Sequence, residues 1–244
     1  MTPFRTPQPP SRLPKVGTTI FTVMSALAAE RGAVNLGQGF PDFEGDPALV
    51  DAVAQAMRDG FNQYPPMPGV PALRDAVAAK IAALYGKRYD PATEITITAG
   101  ATQAIITALL AVVGPGDEVI VLEPHYDSYV PNIELAGGTV VRVALKAETF
   151  RPDFEAISAA ITPRTRAILV NTPHNPSATI WRAADLDTLA DILRPTDALL
   201  IADEVYEHMV YDGERHASAS AHPELAARAL VVAYPQAADT EDLP

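Results

Sequence analysis

The chain is 244 residues long, 48% hydrophobic and 20% charged, a composition typical of a folded globular protein with enough length to bury a full core. Its formal charge of −12 argues against a nucleic-acid surface, which would be basic. The absence of cysteine excludes disulfides, thiolate metal sites and a cysteine nucleophile, and no apolar run approaches the ~20 residues of a membrane span.

Residues 1–14 are rich in Pro, Thr and Arg, without the apolar stretch of a signal peptide. They read as a flexible arm, and a cytoplasmic protein is expected. Residues 25–30 read as helix, and 34–43 as a loop punctuated by Gly and Pro. Residues 47–59 form a predicted helix with proline at its start, where a missing N–H costs nothing. A second amphipathic helix is predicted over 69–85, with Leu73, Val77, Ile81 and Leu84 on one face. From there strands and helices alternate. Strands are predicted at 94–99, 118–123, 139–145, 166–171, 198–203 and 229–232, and helices at about 101–113, 128–136, 152–160, 183–193 and 223–227. Alternation with near-continuous apolar strands implies an α/β fold, a mostly parallel sheet with helices on both faces. Residues 233–244 are polar, acidic and bounded by prolines, so they read as a disordered tail.

Three places carry chemistry. The Thr-Ala-Gly-Ala-Thr-Gln run at 98–103 joins a strand to a helix through small residues. It is either a plain turn or a seat for an anion at a helix N-terminus. Tyr126 follows the strand at 118–123, where it is either a core-edge tyrosine or a plate for a flat heterocycle. Asp203 ends a buried apolar strand, so its carboxylate enters low dielectric and needs a partner, such as a protonated pyridinium nitrogen. Tyr206 lies three residues on, and Asn175 sits 28 positions earlier (203 − 175). No metal cluster is apparent. His125, His208, His216 and His222 are expected to face solvent.

The Asn-Thr-Pro-His-Asn-Pro run at 171–176, the Asp-Glu-Val-Tyr run at 203–206 and the Asn-Gln-Tyr-Pro-Pro run at 62–66 together resemble the class I aminotransferases, pyridoxal-phosphate enzymes of fold type I. The Gly-Gln-Gly-Phe-Pro-Asp-Phe run at 37–43 and the Tyr-Asp-Ser-Tyr run at 126–129 resemble the methionine and kynurenine aminotransferase subgroup. The resemblance implies the large domain of a fold type I transferase over residues 46–232, with an N-terminal arm and partial small domain over 1–45. It implies that Gly100, Ala101 and Thr102, with Gln103 a further candidate, hold the phosphate of pyridoxal 5′-phosphate. Tyr126 would stack on the ring, Asp203 would pair with its nitrogen, and Asn175 and Tyr206 would bind its phenolic oxygen. Tyr64 would reach the phosphate of a neighbour in a homodimer. Gly39 and Asn175 would lie at the substrate carboxylate. The implied reaction moves an amino group from methionine, glutamine or an aromatic amino acid to a 2-oxo acid.

The chain departs from that family in two ways. Ala178 stands where a glycine is usual, which is strained by about 1 kcal/mol if the position needs positive φ. The family's Schiff-base lysine lies some thirty residues beyond the aspartate, but the lysines here, Lys15, Lys80, Lys87 and Lys146, all precede Asp203. No catalytic residue is therefore assigned. The close match gives way to an unrelated acidic tail after Val232, so a truncated or frameshifted reading frame is expected, with the C-terminal strand and small domain missing and transaminase turnover negligible. The fold is then incomplete, with either a gap beside residues 94–99 or a non-native closure, and a marginally stable product. The competing readings are a non-catalytic protein that holds the cofactor without a covalent link, and a β-lyase of the same fold.

Overall fold

A computed structural model describes residues 11–39 and 43–234. Phe40, Pro41 and Asp42 of the predicted substrate loop lie outside the described residues, as do 1–10 of the arm and 235–244 of the tail. The chain divides into two units, Met1–Met67 and Pro68–Pro244.

In the first unit, helix α1 (Ile20–Arg31) starts at Thr19, whose hydroxyl accepts the Thr22 N–H, and stops at Gly32 in the left-handed conformation. It begins earlier than the expected residue 25 because the capping residue is Thr19. Helix α2 (Pro47–Arg58) is capped by Asp46, which accepts the Ala48 N–H at 2.8 Å.

The second unit opens with α3 (Pro71–Tyr85) and continues as α4 (Ala101–Val112), β1 (Glu118–Glu123), α5 (Tyr129–Ala136), β2 (Thr139–Ala144), α6 (Phe154–Ala160), β3 (Thr165–Asn171), α7 (Ala183–Leu193), β4 (Leu199–Asp203), α8 (Pro223–Ala226) and β5 (Ala229–Val232). The five strands form one sheet in the order β2-β1-β3-β4-β5, and every pairing is parallel. Side chains alternate across a strand, so the continuous apolar runs of β1, β3 and β4 feed two cores. Ile120, Ile168, Val170 and Leu200 pack on one face with Leu186 and Leu189 of α7. Val119, Val121, Leu169 and Ile201 pack on the other with Ile105 and Leu109 of α4 and Ile133 of α5. The expected α/β sheet with helices on both faces is thus present. Among the described residues no helix is long and apolar enough to cross a membrane.

One predicted element is corrected. Residues 94–99 join no ladder. Their apolar residues suit a strand, and Ile95 is buried, but a strand exists only where a partner runs alongside. Here the Ile97 N–H goes instead to the Pro68 carbonyl at 2.9 Å, and β5, whose sole sheet neighbour is β4, forms an edge.

Candidate functional site

Parallel pairing brings the carboxyl ends of β3 and β4 level, with Asn171 in register with Asp203. Ligands in open α/β sheets bind outside such ends. A small cleft opens there, and Ala101, Thr102, Tyr126, Asn175, Asp203 and Tyr206 all line it. Residues from four separate stretches of the sequence therefore meet in one place.

Asp203 is 4% exposed. Burial pushes its pKa above the usual carboxylate value, while the Tyr129 hydroxyl, which donates to Oδ2 at 2.5 Å, and the Val205 N–H, 3.3 Å from Oδ1, hold it down. Tyr129 is itself buried, and burial followed by the neighbouring Asp203 charge raises its pKa, so it stays a donor. Asn171 braces the turn after β3. Its amide donates to the Asp203 carbonyl at 2.9 Å and its Oδ1 accepts the Asn175 N–H at 2.7 Å. The Asn175 amide then lies 3.5 Å from the Tyr206 hydroxyl. An amide, a carboxylate and a phenol share the cleft. Tyr126 sits edge-on to Tyr129, with ring centroids 5.9 Å apart.

At another wall, Gly100 adopts φ +84° as the N-cap of α4, a conformation that suits glycine. No side chain caps that helix, so its first-turn N–H groups and dipole are available to an anion. Gln103 is held through its amide oxygen. Its Oε1 accepts the Ala99 N–H at 2.5 Å and stabilises the turn itself. The turn after Asn175 does require positive φ, because Ala178 sits at φ +58°.

Several expectations change. His216, expected at the surface, has a side chain only 4% exposed and lies 3.0 Å from Glu204, because its loop folds back over that buried carboxylate. His125 is also largely covered. Its Nδ1 lies 2.7 Å from the Tyr126 carbonyl oxygen and its ring stacks beside Tyr129. His208 and His222 are partly covered as well, beside Glu207 and Asp187 respectively. Tyr234, assigned to the tail, lines the cleft. Tyr129 and Asn171 were missed as site residues. Their only signal is that each lies within a quoted motif, at 171–176 and 126–129, and nothing in the sequence pairs Tyr129 with a carboxylate 74 positions away. Gly39 and Tyr64 belong to the first unit, where the Tyr64 side chain is 99% exposed. Among the described residues no group of three or more His, Asp or Glu could hold a metal ion.

The family model for aminotransferase class I and II matches residues 31–238. The Escherichia coli methionine aminotransferase is 50% identical over 224 residues, covering 92% of this chain and 58% of the relative. The rat kynurenine–oxoglutarate transaminase 1 is 35% identical over 234 residues, covering 91% and 55%. A solved Escherichia coli structure described as having methionine aminotransferase function superposes with a TM-score of 0.90 at 49% identity, covering 93% of this chain and 60% of that one. The chain thus spans a little over half the length of the relatives it matches.

Proposed function

The chain belongs to the class I and II aminotransferases and resembles their methionine and kynurenine subgroup, and on that premise we propose that its cleft holds pyridoxal 5′-phosphate for transamination between an amino acid and a 2-oxo acid. The observation that supports this reading is the convergence of Asn175, Asp203 and Tyr206 on one cleft beside an uncapped helix N-terminus. The residues fit the group. A buried carboxylate with a raised pKa is stabilised by a cationic ring nitrogen, an amide and a phenol suit a phenolate oxygen, and Ala101 and Thr102 offer N–H groups to a phosphate. When bound, the cofactor supplies an electron sink for bonds at the amino acid α-carbon.

The chain's own residues then divide the work. Asp203 would pair with the ring nitrogen, and Tyr129 holds Asp203 in place. Tyr126 would stack on the ring. Asn175 and Tyr206 would bind the phenolic oxygen. Asn175 and Gly39 serve the substrate carboxylate, and Tyr64 serves the phosphate of a second copy in a homodimer. The cofactor domain runs over residues 46–232. Methionine, glutamine and aromatic amino acids are the proposed donors.

A second reading rests on the lysines. No lysine lines the cleft, and Lys80 is engaged with Glu207 and the Tyr234 carbonyl. The 244-residue chain therefore holds the cofactor without a covalent bond, and no residue in the cleft can shuttle the α-proton as a lysine would. Two measurements test the pair of readings. Titration with pyridoxal 5′-phosphate is expected to give saturable absorbance that dialysis removes, and no saturation would end the cofactor reading. The assay for 2-oxo acid formation from methionine is expected to be near blank. Turnover within about tenfold of a full-length relative would end the non-covalent reading.

A further inference from the structure

The turn that carries Asp203 and Tyr206 has a second side. Those two residues face the cleft, whereas Glu204 and Glu207, interleaved with them, enter a buried polar layer. Glu204 is 1% exposed; its Oε1 accepts the Ala219 N–H at 2.8 Å and its Oε2 lies 3.0 Å from His216 Nε2. Glu207 is 6% exposed. Its Oε1 accepts from the Lys80 ammonium at 2.6 Å and its Oε2 from the Tyr85 hydroxyl at 2.5 Å. The Tyr85 ring meets the His216 ring edge-on at 6.0 Å, which joins the two halves into one layer. Lys80 Nζ also donates to the Tyr234 carbonyl at 3.0 Å, and Tyr234 lines the cleft.

Two buried carboxylates three residues apart are a costly way to stabilise a turn, since apolar side chains of similar size would do at least as well. What charge-assisted bonds add is direction. Lys80 and Tyr85, both on α3, grip the two oxygens of Glu207 and fix its carboxylate plane. The Glu207 N–H closes onto the Glu204 carbonyl at 3.0 Å, so the backbone of Tyr206 is fixed between two anchored residues. Across the cleft the Asn175 amide is 3.5 Å from the Tyr206 hydroxyl, too long to set its position. The phenol is held from behind.

We propose that Lys80, Tyr85 and Glu207 form a positioning site that sets the Tyr206 phenol for the phenolic oxygen of pyridoxal 5′-phosphate. The proposal rests on the cofactor reading above. Lys80, outside the cleft, would then act on the cofactor only through its neighbours.

The test uses the full chain and pyridoxal 5′-phosphate as the probe. The paired variant Lys80→Met with Glu207→Gln removes the ion pair and leaves no unmatched charge. Its thermal midpoint is expected to stay close to that of the unmodified chain, while its Kd for the probe rises about tenfold and the visible circular dichroism per bound probe weakens. In a Tyr206→Phe background the same pair is expected to change Kd by less than about twofold, because the network acts through Tyr206. Lys80→Arg alone, which keeps a cation opposite Glu207, should bind the probe like the unmodified chain. Tyr85→Phe removes one hydrogen bond to the Glu207 carboxylate and should raise Kd by about threefold, and it carries the test if the paired variant does not fold. Binding and dichroism equal to the unmodified chain, or effects additive with Tyr206→Phe, overturn the proposal alone. Failure of the unmodified chain to bind overturns the cofactor reading and the proposal together.

Discussion

Asp203 sets function against stability within a single side chain. Its pKa is raised from the usual value near 3.8, chiefly by burial. Between that value and the higher folded pKa, the native state keeps a proton that the unfolded chain has released. Stability therefore falls as pH rises through that window and stays lower above it. Asp203→Asn removes the titration, so in the absence of cofactor it is expected to be more stable than the parent at neutral pH by on the order of 1 kcal/mol, with a flatter pH profile. The same change should weaken binding of pyridoxal 5′-phosphate, whose ring nitrogen loses its anionic partner. Urea melts at several pH values check the first expectation, and an unchanged profile would mean that Asp203 is not buried as described. Ala178 poses a smaller conflict, being a Cβ-bearing residue at φ +58°. Ala178→Gly relieves about 1–2 kcal/mol of left-handed strain and loses about half of that to greater freedom in the unfolded chain. A net gain of about 0.5–1 kcal/mol in urea unfolding is expected. Both residues were legible in advance, Asp203 from the apolar strand before it and Ala178 from the family resemblance, which puts a glycine at that position. Tyr129 was not, because a hydroxyl bond to a residue 74 positions away depends on the sheet order and not on any local pattern.

Among the elements, those whose apolar run is continuous were legible almost to the residue. β1 and β5 match their predicted spans, and α7 does too, because caps and burial coincide with sequence breaks. Residues 94–99 failed for a different reason. Period and composition describe one strand, whereas a ladder needs two. What holds this segment is the approach of Ile97 to Pro68, which Gly69 permits. Gly69 lies at φ +104°, and a Cβ there would fall 2.5 Å from Ile97 Cγ1. Gly69→Ala is thus expected to cost at least about 2 kcal/mol, from strain and from the lost Ile97–Pro68 hydrogen bond, with local exchange of the Ile97 amide rising more than that of β3. Equal rises across the sheet would show that the segment is not a separate local unit.

At the scale of the molecule, the two edges of the sheet differ. β2 carries Arg142, held 2.9 Å from Glu123, and a charge of this kind discourages pairing with another chain. β5, with the sequence Ala-Leu-Val-Val, carries no charge, and Leu230 is 38% exposed. Its outward backbone groups have no strand partner among the described residues. An apolar, uncharged edge is a template for association, so self-association of this chain is expected to run through β5. Leu230→Lys places a charge on that edge, and the lysine stem can still cover the apolar surface beneath. Stability is expected to change by less than about 1 kcal/mol. Growth of light scattering with concentration is expected to slow markedly, whereas a second charge added to β2 should do little. If Leu230→Lys aggregates as fast as the parent chain, the route lies elsewhere. The exposed apolar residues Leu49, Val53 and Met57 on α2 would then be the next surface to charge.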